Sequence, residues 1–161
     1  MSGDSYQGSR RWVPFSLIGL CTLFVWICIP VMDGPNSRLA AREAASVGTL
    51  RSIVKLQSSY AVTHPTTGFA CELPSLASEA VKVDYFAQDE FLMSGERVGY
   101  KFAIADCRTS LSGVVIHYQV TAVPREPGKS GIRAFCTDEF GQLWYDSDGS
   151  SVNCLVSRRQ L

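Results

Sequence analysis

Six cysteines and two histidines are the residues of this 161-residue chain best suited to covalent or metal chemistry. Cys21 and Cys28 lie inside an apolar run, whereas Cys71, Cys107, Cys136 and Cys154 follow it. A structural zinc site draws on closely spaced Cys-x-x-Cys or Cys/His ligands, and no Cys-x-x-Cys occurs. A catalytic thiolate needs a histidine to take its proton. His64 precedes Pro65 in a turn, and His117 faces away from the apolar side of a β-rich segment, so both are expected to be solvated. Neither Gly-x-Ser-x-Gly nor His-Glu-x-x-His is present, and Gly128-Lys129-Ser130 lacks the upstream glycine of a phosphate loop. The expectation is a protein without enzymatic activity. One stretch offers oxygen ligands: in DSDGSSVN, Asp146, Asp148 and Asn153 are candidate calcium ligands. An Asp-Gly turn accounts for the same residues without a metal, and no bidentate glutamate follows. No cofactor is expected, calcium being the one candidate to consider. The four later cysteines allow three pairings.

These candidates sit in a chain with 15 basic and 15 acidic residues and 46% hydrophobic content. The length suits one domain, and a zero formal charge argues against a general nucleic-acid partner. The average hides a segregation, because every residue from Trp12 to Met32 is uncharged. At 1.5 Å rise per residue this run spans about 31 Å, close to a bilayer core, so residues 12–32 are expected to form a transmembrane helix. Pro14 and Pro30 fall near its ends, where a missing N–H costs little. Arg10 and Arg11 place residues 1–11 on the cytoplasmic side, giving a single-pass protein of the inner membrane with residues 33–161 outside. Four cysteines in that outer part agree with an oxidising compartment. A cleaved secretory signal is the competing reading, but the run is long and no small-x-small site follows closely. Leu20 before Cys21 and Ile27 before Cys28 speak against a lipoprotein signal.

Beyond Asp33-Gly34-Pro35, residues 37–62 contain no proline, and Ala40, Ala44, Val47, Leu50, Val54 and Ala61 recur at three- and four-residue steps. This predicts a long amphipathic helix. Residues 63–98 carry turn signals and form a connecting loop region. The period then changes. Residues 99–107, 114–124, 131–139 and 142–148 are β-rich and divided by glycine-containing breaks, which predicts a four-stranded antiparallel sheet over 99–148 and a tail over 149–161. In the second of these strands Ile116, Tyr118, Val120 and Ala122 make one apolar face for the helix. The expected class is α+β: a transmembrane helix, then a long amphipathic helix packed on a four-stranded sheet.

Several segments resemble the type IV pilin and type II secretion pseudopilin family: PFSLIGL (Pro14 to Leu20), Ile29-Pro30, AAREAASVGTLRSI (Ala40 to Ile53), HPTTGFAC, GYKF, YQVTAVP and GIRAFCTDEFGQLWYD. The resemblance implies a pilin-like fold, other pilin or pseudopilin subunits and the membrane as partners, and a structural role in a type IV pilus or secretion pseudopilus. It also implies pairing of Cys136 with Cys154, since such domains staple their C-terminal region. Cys71 then pairs with Cys107. Some pseudopilins hold calcium in a C-terminal loop, which brings Asp146, Asp148 and Asn153 under the same heading. The processing site departs from the family pattern. Pro14 holds the glycine position before the cut, Phe15 is the first mature residue, and Gly19 replaces the glutamate at the fifth. A singly anchored binding module on a pilin-like scaffold is the alternative implied by those departures.

Overall fold

The computed structural model describes residues 34–82 and 90–161. Helix α1 spans Pro35–Thr63, two residues earlier at its start and one later at its end than the periodicity suggests. It ends where His64 precedes Pro65, a pairing that disfavours helical backbone. A 3₁₀ turn at Leu73–Leu76, helix α2 (Ala77–Lys82) and helix α3 (Phe91–Ser94) follow. Then come β1 (Glu96–Arg97), β2 (Tyr100–Thr109), β3 (Val115–Pro124), β4 (Ala134–Asp138) and β5 (Leu143–Asp146). Helix α4 (Ser151–Ser157) and β6 (Arg159–Gln160) complete the chain.

Two parts of the expected architecture are corrected. The sheet has six strands rather than four, in the order β1-β2-β3-β4-β5-β6, every neighbour antiparallel. The added strands lie at the two edges and are two residues long, too short for any alternation to announce them. In addition, no helix among the described residues is long and apolar enough to cross a membrane. The transmembrane helix expected over 12–32 lies outside the described residues. The class is α+β.

The main core lies between α1 and one face of the sheet. Leu50, Ile53 and Leu56 of α1 are fully buried and join Tyr100, Phe102, Tyr118, Val120, Ala122 and Phe135 in one cluster. The inner face of the helix differs from the expected one. Ala40 and Ala44 are exposed, while Glu43, Ser46, Thr49 and Gln57 are buried beside Val47 and Leu50. Ser46 and Thr49 tolerate this because each hydroxyl donates to the carbonyl four residues back, Arg42 and Ala45, at 2.9 Å. Gln57 is satisfied from a distance: its Nε2 donates to the Ala70 carbonyl at 2.7 Å, and its Oε1 accepts from the Ala70 N–H at 2.9 Å. That reciprocal pair fixes the chain after α1, where Gly68 bridges Val115 at φ +81°. A side chain there would overlap the Val115 carbonyl, so the turn requires glycine.

Helix α4 covers part of the opposite face, burying Cys136, Trp144 and Cys154 together. Both faces of β3 are consequently shielded over its second half. Tyr118, Val120 and Ala122 point into the main core, and Gln119 and Thr121 are also buried. Ile116, expected on the apolar face, is 55% exposed.

Candidate functional site

The four described cysteines form two disulfides, Cys71–Cys107 with Cα atoms 6.0 Å apart and Cys136–Cys154 with Cα atoms 6.1 Å apart. The first ties the loop after α1 to an irregularity in β2, where pairing with β3 shifts between Ala105 and Arg108 and Asp106 adopts φ +49°. Both of its residues are exposed. The second fastens α4 to β4 and is fully buried. Among the described residues, neither histidine therefore has a thiol to activate. Cys21 and Cys28 lie outside the described residues, as do Pro14, Phe15 and Gly19.

A polar latch joins the first half of α1 to the start of β4. Glu43 Oε1 accepts from the backbone N–H groups of Ile132 (3.0 Å) and Arg133 (3.1 Å). Its Oε2 accepts from Arg133 Nε (2.9 Å) and Nη2 (2.7 Å), a bidentate grip. Burial alone would push this carboxyl up. The donors from Ile132 and Arg133 outweigh it, with the guanidinium charge adding to them, and hold it below its ordinary value of 4.5. From the adjacent position, Arg42 Nη1 donates to the Lys129 carbonyl at 2.8 Å. The Arg133 guanidinium also lies over the rings of Phe135 and Tyr145, each at 5.5 Å. Sequence spacing marks Glu43 only as a helical acid; its partners lie about 90 residues on.

The far end of α1 carries a second buried carboxylate. Glu79 of α2 accepts from Lys82 Nζ (2.7 Å), Ser59 Oγ (2.8 Å) and Thr63 Oγ1 (3.0 Å). The Lys82 contact first, then the Ser59 hydroxyl, overcome burial and lower its pKa from 4.5 to about 2. A depressed acid supports the fold above its unfolded value and ceases to do so as pH falls through its folded value. The α1–α2 contact is thus expected to weaken between pH 4.5 and about 2. A Glu79→Gln variant should abolish that part of the acid transition. An NMR titration placing the Glu79 carboxyl near 4.5 would overturn the assignment.

His117 is not a solvated residue: its side chain is 18% exposed and lies between two carboxylates. Nδ1 is 2.8 Å from Glu139 Oε2, and Nε2 is 3.3 Å from Asp106 Oδ2. Arg108 Nε reaches Asp106 Oδ1 at 3.1 Å. That side-chain bond from Arg108, opposed by some desolvation and assisted by the Arg108 and His117 charges, holds Asp106 below its ordinary value. His117 Nε2 and Glu139 Oε2 make no aligned hydrogen bond. The four side chains form a charge network across the ends of β2, β3 and β4. His64 instead stacks on Tyr60 with ring centroids 4.1 Å apart.

The structure places the calcium candidates Asp146 and Asp148 at one turn and Asn153 in the helix that follows it. Asp146 Oδ2 accepts from the N–H groups of Asp148 (3.1 Å) and Ser150 (2.8 Å), folding the turn on itself. Ser150 then caps α4 by accepting from Asn153 N at 3.3 Å, which places Asn153 on the helix. Among the described residues no group of three or more His, Cys, Asp or Glu is placed to hold a metal. The turn acts as a cap that delivers Cys154 to Cys136.

The described residues thus define an α+β domain in which one long helix is latched to an antiparallel meander and two disulfides close its loops. Comparisons with protein-family models, curated proteins and solved structures found no match.

Proposed function

We propose that this chain is a pilin-like structural subunit, attached to the inner membrane through its apolar run 12–32 with the N-terminus in the cytoplasm and residues 33–161 outside, and packing beside other pilin or pseudopilin subunits of a type IV pilus or type II secretion pseudopilus. The observation that carries the reading is the two-sidedness of α1. Its bulky and latched residues face the sheet, while Ala40, Ala41, Ala44, Ala45 and Gly48 remain exposed, leaving a low surface that a neighbouring helix can approach. Two disulfides in the outer domain agree with an oxidising compartment. The role needs no cofactor and no catalytic group.

Protein extracted from membranes of the producing cells, followed by mass analysis of its N-terminus and by filament shearing, tests this reading. Recovery in sheared filaments, with either an intact N-terminus or one starting at Phe15, supports a subunit. A membrane-retained chain absent from filaments, and not crosslinked to any pilin, sinks it. Pro14 and Gly19 specifically favour that second outcome, in which the domain is a singly anchored exported binding module that does not polymerise.

A further inference from the structure

The two disulfides differ in where they sit and in what else holds their ends. Cys136 and Cys154 are sealed in a core, whereas Cys71 and Cys107 are both exposed. Cys71 also borders a hollow of about 340 Å³, together with Glu72, Pro74 and Met93, which leaves a thiol room to approach from that side. Exchange requires a thiolate to reach one sulfur of the bond, so access decides which disulfide reacts.

Each of these exposed cysteines stands beside residues that are fastened by other means. Just before Cys71, Ala70 is held through both its N–H and its carbonyl by Gln57. Phe69 N donates to the Val115 carbonyl at 3.1 Å, and Val115 N donates to the Thr67 carbonyl at 2.8 Å. Just after Cys71, Leu73 and Leu76 are buried in the main core. At the other end, Arg108 Nε reaches Asp106 Oδ1 across Cys107, and Asp106 Oδ2 lies 3.3 Å from His117 Nε2. Strand β2 meanwhile stays in register with β3 up to Ala105 opposite Gln119. Thiols released here therefore stay near the 6.0 Å Cα separation of the closed bond. Reclosing is then intramolecular, at a high effective concentration.

We propose that Cys71 and Cys107 form a thiol-exchange site, a disulfide that a partner dithiol opens and that recloses while the domain stays folded. One thiolate of the dithiol attacks the Cys71 sulfur. A mixed disulfide forms as the Cys71–Cys107 bond breaks, and Cys107 leaves as a thiolate. The second thiolate of the dithiol then attacks its own partner sulfur and releases Cys71. Two electrons reduce the protein disulfide, the two protons lost by the dithiol end on the two cysteines, and the dithiol departs as a disulfide. A dithiol is favoured over a monothiol because Cys107, held beside the mixed disulfide, expels a monothiol before a second one arrives. The inference stands apart from the assembly reading, since a pilus subunit and a singly anchored module can both carry it.

The test uses full-length protein in detergent micelles, treated with N-ethylmaleimide to block Cys21 and Cys28 before any reductant is added. Dithiothreitol serves as the dithiol and glutathione as the monothiol, and native samples are alkylated and mapped by mass spectrometry. Dithiothreitol should open Cys71–Cys107 at least about tenfold faster than Cys136–Cys154, with amide-exchange protection in α1 and β3 unchanged. Glutathione at the same thiol concentration should leave at least about tenfold less opened protein. Replacing dithiothreitol with oxidised glutathione should restore the Cys71–Cys107 bond. A Cys71→Ala/Cys107→Ala variant, permanently open, should keep the same protected amides in α1 and β3. Both disulfides opening together, or a lasting glutathione adduct, would overturn the proposal. So would loss of α1 or β3 protection, either on opening or in the double variant, because the ends of the bond would then have no other fastening.

Discussion

Replacing Glu43 with alanine is expected to destabilise the folded domain by about 2–3 kcal/mol, read as a lower denaturant midpoint at unchanged slope. The change removes the acceptor for two backbone N–H groups and for both arms of a guanidinium. The backbone donors of Ile132 and Arg133 carry part of this cost, because both give their bonds to the same carboxylate oxygen. The Arg133 side chain is 41% exposed and can turn toward water, so its share is smaller than for a fully buried pair. Glu43→Gln separates the two parts. Its carbonyl oxygen can still take the backbone bonds, while its amide group confronts the guanidinium without charge, so about half of the loss is expected. The sign with pH follows from the lowered carboxyl: its contribution is fully present above 4.5 and fades as pH falls through the lower folded value. An alanine variant as stable as the parent would show that Glu43 is not a latch.

Loss of the Cys136–Cys154 bond should cost about as much, close to 3 kcal/mol, because it closes a loop with a sequence separation of 18 residues. Both residues are fully buried with Trp144, so serine at either position would also place a hydroxyl in an apolar cluster. A Cys136→Ala/Cys154→Ala double variant avoids that complication and isolates the crosslink. In the double variant α4 should lose amide-exchange protection before α1 does, since α4 rests on β4 and β5 and shares no buried cluster with α1. The exposed Cys71–Cys107 bond should reduce first under a mild thiol, because both of its residues are open to solvent. Simultaneous loss of protection in α1 and α4 would contradict this division.

What could be read from residue order was whatever depends on near neighbours. The alternation through Tyr118, Val120 and Ala122 marks the inner side of β3, because a strand's period shows within a few residues. The same logic misled on α1. Ala40 and Ala44 sit at regular helical steps, yet Glu43, Ser46, Thr49 and Gln57 turn inward. They are buried without penalty because of Ala70, Ile132 and Arg133, or through their own preceding turn. No local pattern announces a partner 13 or 90 residues away. His117 was expected in solvent because it leaves the apolar face of its strand; the carboxylates of Asp106 and Glu139 come from neighbouring strands. Asp146 and Asp148 fit two descriptions in the sequence, because alternate oxygen side chains before a glycine describe both an ion loop and a self-capped turn. The edge strands β1 and β6 were invisible, since two residues carry no period.

The disulfides also divide the domain into covalent rings. One ring closes from Cys71 to Cys107 and contains the connecting helices, β1 and most of β2; the other closes from Cys136 to Cys154 and contains β5. Strand β3 lies on the single thread between them. Phe140, 78% exposed at the hairpin turn, is inside the second ring. A protease that cuts there severs the backbone but releases no fragment, and the two pieces separate only when the bond is reduced. This exposed turn can therefore be nicked while the two pieces stay covalently joined.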